Sequence, residues 1–264
     1  MRNLKEAFAQ KNVLIIFIIA VIIVQITPIN VGLLFAVMMV IINFYAPKES
    51  KKIWLTISIY IIGYWIAVYL HSYVVSIFEV SREANIVLSR LSLLGYIIPY
   101  FILMKISRPQ TDYLSVGSFK NTIYTPFIWR GIKDPVWRFL LIGTAVMFIA
   151  FIFVIDFDQY DFYRLIMYGG LFAIVNSVLE ELLWRGLMLP RFVDHAGEKL
   201  GLLVTSTGFG FYHYSIGFPW TICALFSLCG LLMGGVAIRS KGLVPVMILH
   251  FNMNVLFALS GVIF

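Results

Sequence analysis

Charge is scarce in this chain. Acidic and basic residues make up 12% of its 264 residues, while 61% are hydrophobic. A soluble domain carries about twice that charge, so the balance excludes an ordinary soluble domain and points to a polytopic membrane protein. Cysteine is equally sparse. Cys223 and Cys229 lie in one apolar run, spaced for neither an intrahelical disulfide nor a metal motif, and read as packing residues. No His-Glu-x-x-His helix is present, so the strongest zinc signature is missing. The basic N-terminus, Met1 to Lys11, runs into an apolar stretch with no A-x-A-like cleavage site, which favours an uncleaved first helix over a signal peptide. No internal repeat or low-complexity tract stands out. The net charge of +7 is no argument for nucleic acid, because basic residues in membrane proteins mainly record orientation.

What is present is a series of apolar segments near the length a span needs, about 20 residues. They are Asn12 to Ile29, Val31 to Ala46, Ile53 to Phe78, Ile86 to Met104, Trp137 to Ile155, Phe162 to Leu183, Leu200 to Ile216, Trp220 to Ile238 and Leu243 to Ile263. The expected fold is all-α, a polytopic membrane helical bundle of about 8–9 transmembrane helices. With the N-terminus cytoplasmic, 17 of the 20 basic residues, Arg185 included, fall on the cytoplasmic side, and only Arg82, Arg90 and Arg164 fall outside. The loop Asp156 to Asp161 is then external and acidic. This obeys the positive-inside rule. The short loops point to a bacterial plasma membrane.

The longest connection, Lys105 to Val136, holds Pro109, Pro126 and Pro135, so no continuous helix crosses it. Phe119, Ile123, Phe127, Ile128 and Trp129 interleave with Lys120, Arg130 and Lys133. That pattern fits an amphipathic cytoplasmic linker on the membrane surface, or an ordinary loop. The expected organisation is an N-terminal set of helices with this linker, residues 1–135, followed by a catalytic core, residues 136–264.

Ionisable and strongly polar groups at membrane depth are expensive and mark function. Here they gather on three of the last four spans: Asn176, Glu180 and Glu181 on one, His213 on the next, and His250, Asn252 and Asn254 on the last. Glu181 and Arg185 are four residues apart, as are Phe209 and His213, and His250 and Asn254, so each pair shares a helix face. Glu180 and Glu181 point about 100° apart, so one faces a cavity while the other pairs with Arg185 or a backbone group. A glutamate in a dry site takes a proton from water, histidines orient that water or bind Zn²⁺, and Asn and His donate to an oxyanion. This chemistry fits peptide hydrolysis better than acyl transfer through Ser177. His71, isolated in its span, and His195, beside Asp194 in a polar loop, are expected to have no role.

Glu180-Glu181-Leu182-Leu183-Trp184-Arg185, Phe209-Gly210-Phe211-Tyr212-His213 and His250-Phe251-Asn252-Met253-Asn254 follow in order at intervals of 33 and 37 residues. In this they resemble the CPBP family, which includes the CAAX prenyl endopeptidases, the bacteriocin-processing proteins and the Abi-type proteins. The resemblance covers about Tyr163 to Phe264. It implies an intramembrane endopeptidase in which Glu180 activates water, His213 positions it, and His250 and Asn254 stabilise the oxyanion. Glu181, Arg185 and Phe209 would support them. The family has been described both as metalloproteases and as metal-independent glutamate proteases. The cofactor is therefore open, zinc held by Glu180, His213 and His250 being the metal alternative.

The implied partners are a peptide or protein substrate at the membrane, the lipid bilayer and a membrane-protein partner, with no nucleic acid. The competing function is a non-catalytic CPBP-like scaffold that binds and regulates another membrane or cell-envelope protein. A transporter ranks below both, because no paired broken helices recur in two halves.

Overall fold

The structure is a computed structural model that describes residues 2–46, 48–126, 128–157 and 161–264, without the side chains of 2–11, 33, 48 and 49. The basic side chains Arg2, Lys5, Lys11 and Lys48, the linker residue Phe127 and the centre of the acidic loop, 158–160, thus lie outside the described residues.

The helices are α1 (Arg2–Ile26), α2 (Ile29–Tyr45), α3 (Lys48–Tyr69), α4 (Arg82–Ser89), α5 (Leu94–Ile106), α6 (Val136–Phe151), α7 (Phe162–Glu181), α8 (Leu189–Tyr212), α9 (Trp220–Ser240) and α10 (Val244–Leu259). Proline sets several boundaries. Pro28, Pro135 and Pro219 stand just before α2, α6 and α9 in extended conformation. Proline disfavours helical geometry in the residue before it and tolerates the start of a helix, where its missing N–H is no loss.

Four helical stretches are long and apolar enough to cross a membrane: Ser50–Ile77, Arg82–Ile106, Phe162–Ile216 and Trp220–Ser240. Four shorter apolar helices accompany them: Asn12–Ile26, Ile29–Tyr45, Val136–Phe151 and Val244–Leu259. The all-α membrane bundle expected from the sequence is thus the fold, and the chain is an integral membrane protein.

The stretch Phe162–Ile216 corrects the expected end of the sixth segment. Helix does not stop at Leu183. It runs on from α7 through a π-helical stretch, Leu182–Met188, into the first part of α8. The reversal comes at Gly197, whose φ of 80° and ψ of 166° only glycine adopts without strain. His195 accordingly lies on a helix, not in a loop.

One hydrophobic cluster runs through the bundle, from Val13 and Phe17 of α1 to Leu249 and Met253 of α10. At its centre aromatic rings touch in sequence. Phe17 meets Tyr60 at 5.4 Å, Tyr60 meets Trp184 at 6.0 Å, and Trp184 meets Phe209 at 5.8 Å. Outward faces such as Leu141, Val146 and Ile149 of α6 stay exposed and apolar, as lipid contact requires.

The linker holds the strands of the fold. It forms a two-stranded antiparallel hairpin, β1 (Thr122–Pro126) with β2 (Gly131–Pro135). Ile123 and Ile128 point inward and are buried. The segment before the hairpin caps the turn between α9 and α10. Ser118 N–H donates to the Ser240 carbonyl at 2.8 Å, and Leu243 N–H donates to that of Ser115 at 2.9 Å. Arg239 Nε–H holds the Thr122 carbonyl at 2.8 Å. The helix ends near Lys52, Arg108, Arg191 and Arg239 therefore share one side of the bundle, called the basic side below.

Candidate active site

A carboxylate on α7 and a histidine on the following helix meet only if both stand at one depth. Gly197 makes this so. Glu180 lies 17 residues before it and His213 16 residues after it. At 1.5 Å per residue both are roughly 25 Å from the reversal. Glu180 is therefore deep within the helical stretch and not at its end, where the expected span ends had put it. Arg185, counted by sequence among the cytoplasmic cations, is buried in the same interior.

The π-helical stretch begins directly after the two glutamates, and such interruptions cluster at functional sites. Within it Arg185 Nη1–H donates to Glu181 Oε1 at 2.9 Å. The same oxygen accepts Nδ1–H of His250 at 2.7 Å. Glu181 is thus the hub that ties α7 to α10. Arg185 also donates to the Gly230 carbonyl of α9 at 3.3 Å, and its guanidinium lies 4.3 Å from the Phe209 ring centre. Phe209 in turn contacts His213 at 4.8 Å and His250 at 6.1 Å. The three sequence segments converge on one site.

Hydrogen bonding fixes what each histidine presents. The Phe209 carbonyl only accepts, so His213 Nδ1 carries a hydrogen and donates it across 2.7 Å. His250 Nδ1 is engaged with Glu181, which leaves Nε2 facing Glu180 Oε2 at 3.7 Å. That distance is too long for a hydrogen bond. His213 lies within electrostatic reach of both Glu180 and His250. Both imidazoles are held by Nδ1, and Nε2 is the atom left for chemistry.

Glu180 is 1% exposed, and neither carboxylate oxygen has a hydrogen-bond partner among the described residues. A buried carboxylate left without donors is costly unless something else uses it. Asn254, one turn beyond His250, is also buried, with Nδ2 unpartnered.

Asn176 belongs to this set, although the sequence reading gave it no role. Helices α7 and α10 run antiparallel, in register at Glu181 with His250 and again where Gly169 meets Ala258. A β-carbon on Gly169 would lie 2.9 Å from that of Ala258. This register sets Asn176 level with Asn254, and its Oδ1 too is buried without a partner. The signal was legible as an asparagine one turn before Glu180 on the same face. Asn252, on another face of α10, donates instead to Thr144 Oγ1 of α6 at 2.9 Å.

Gln25 of α1 was missed altogether. Its Nε2 donates to the Phe211 carbonyl at 3.1 Å, and its Oε1 accepts the Ser215 N–H at 2.7 Å. It thereby grips the chain on both sides of His213. A lone glutamine in an apolar helix needs an interhelical partner, and that was the available sign. Gln25→Leu is expected to lower activity several-fold while the protein accumulates normally, measured by turnover per mole of purified protein.

Close packing completes the site. A β-carbon on Gly210 would collide with Ser227 Oγ and the Cys223 carbonyl of α9. Glycine lets the two backbones approach, as small residues do between membrane helices. Gly210→Val is expected to cost about 1–3 kcal/mol, visible as a lowered thermal midpoint, and to displace Phe209 and His213 with it.

The proposed metal set is not gathered. Among the described residues no three His, Cys, Asp or Glu side chains form a group that could hold a metal ion. Glu180 and His250 approach, but these residues as placed do not fit a zinc centre, and no chemical step below passes through one.

Comparison with curated proteins and with solved structures gives no match. The family model for Type II CAAX prenyl endopeptidase Rce1-like matches residues 162–256, which runs from the start of α7 to beyond Asn254. The chain thus carries an Rce1-like type II CAAX prenyl endopeptidase domain, in keeping with the CPBP family its three segments resemble.

Proposed function

We propose that the protein is an intramembrane endopeptidase in which Glu180 is the general base. The observation that carries this reading is a buried carboxylate with two unpartnered oxygens, facing His250 Nε2 and flanked by His213. Water entering there gives a proton to Glu180 while its oxygen attacks the peptide carbonyl. His213 Nε2 accepts from the same water and sets its direction. The tetrahedral oxyanion falls to the His250 and Asn254 side, where Asn254 Nδ2 has hydrogens to donate. Glu180 then returns its proton to the leaving amine. Glu181 and Arg185 hold His250 and act by positioning it.

In this reading residues 136–264 are the catalytic unit, and residues 1–135 hold it in the bilayer. The N-terminus and the basic side face the cytoplasm, as expected for a bacterial plasma membrane. The substrate is a peptide tail or leader at the membrane.

The test is purified protein in proteoliposomes with membrane-anchored peptides, cleavage being read by mass spectrometry. Wild type is expected to cut, and His213→Ala, at equal accumulation, to lose cutting by about 10²-fold or more. A His213→Ala variant that still supports the cellular phenotype would leave the scaffold reading standing instead.

A further inference from the structure

A small pocket of about 130 Å³ opens on the basic side, lined by Lys52, Arg108, Gln110, Arg191, Asp194 and His195 among others. Three permanent cations meet one carboxylate there, and that carboxylate is already engaged. Asp194 accepts the backbone N–H groups of Gln110 and Thr111 through its two oxygens. Lys52 and Arg108 make no ion pair among the described residues. Arg191 is buried and donates Nη2–H to the Ser107 carbonyl at 2.9 Å, while its Nε–H has no partner among the described residues. A buried donor left unmade costs the full desolvation of that group. The site therefore has an excess of positive charge and one free donor where an anion belongs.

Its place in the fold says which anion. Lys52 lies in the first turns of α3, Arg108 two residues beyond α5, and Arg191 six residues before the Gly197 reversal. These are helix ends at the limit of the apolar spans, where lipid headgroups lie. We propose that the pocket binds a phosphate group, and that its occupant is the headgroup of an anionic phospholipid. Guanidinium and ammonium groups lining one pocket suit phosphate, arginine through paired N–H donors and lysine as a point charge. The bound phosphate joins α3, the start of the linker and α8. Because α8 continues from the π-helical stretch that carries Arg185, an anionic lipid braces the first helices against the catalytic hairpin.

The test is the thermal midpoint of the detergent-purified full chain with dioleoylphosphatidylglycerol, dioleoylphosphatidylcholine or sodium phosphate, each at the same concentration. Phosphatidylglycerol is expected to raise the midpoint by several degrees. Phosphatidylcholine, whose choline cation meets the basic rim, is expected to give less than half that shift. Lys52→Ala/Arg108→Ala, both exposed positions, is expected to abolish the difference between the two lipids. Equal shifts from both lipids, or an undiminished difference in the double variant, overturn the site. A shift from sodium phosphate as large as that from phosphatidylglycerol overturns the lipid as occupant. Should the double variant not fold, native mass spectrometry of wild type in mixed lipid decides. Preferential retention of phosphatidylglycerol supports the site, and equal retention of the two overturns it.

Discussion

Glu180→Gln is expected to lower peptide cleavage by about 10²–10⁴-fold, the worth of a positioned general base, while the fold becomes no less stable. The two halves of this expectation come from one fact. Both Glu180 oxygens are buried and unpartnered, so the charge is held at a cost and no described donor is lost when it is removed. The amide has the same shape and no charge. Sites that give up stability for function behave in this way. Cleavage in proteoliposomes and thermal unfolding of the same preparation measure both halves. A variant that still cuts, or one that unfolds more readily than wild type, sinks the assignment.

Arg185→Met has the opposite signature. It is expected to destabilise the protein by about 3–5 kcal/mol, because breaking a buried pair strands the remaining charge. Arg185 and Glu181 are 3% and 0% exposed at the side chain, and among the described residues Glu181 Oε1 has Arg185 and the His250 ring as its partners. Glu181→Gln added to Arg185→Met removes the stranded carboxylate, so the double variant is expected to recover much of the stability. It is not expected to recover full activity, since the neutral amide oxygen of Gln accepts the His250 Nδ1–H more weakly than the carboxylate it replaces. Thermal midpoints for the two single variants and the double variant form a cycle whose coupling term isolates the pair. Additive losses would mean that Glu181 is held by something other than Arg185. Glu180 and Glu181, neighbours in sequence, thus differ: among the described residues neither Glu180 oxygen has a partner, while Glu181 is tied through Oε1 to Arg185 and His250.

The division of labour between those two glutamates was only half legible in the sequence. Their 100° separation required that one face elsewhere, and the spacing to Arg185 named a partner. That Glu181 would also take His250 Nδ1, across 69 residues, depends on α7 packing antiparallel to α10. Asn176 is similar. Its position one turn before Glu180 was visible, while its alignment with Asn254 is a matter of interhelical register.

The membrane bundle, its span boundaries at prolines and the three site segments were determined by the sequence itself. They rest on local physics, namely apolar run length, proline sterics and the cost of charge in lipid. Tertiary structure decided the rest. Gly197 placed the hairpin reversal far beyond the apparent end of the apolar run, and only that length of hidden helix sets Glu180 level with His213. Charged and polar residues of the second half of that helix, such as Arg191 and Asp194, hid it. They make a helix end look like a loop to any reading of hydropathy, although their partners, Ser107 and the Gln110 and Thr111 backbone, come from elsewhere in the chain.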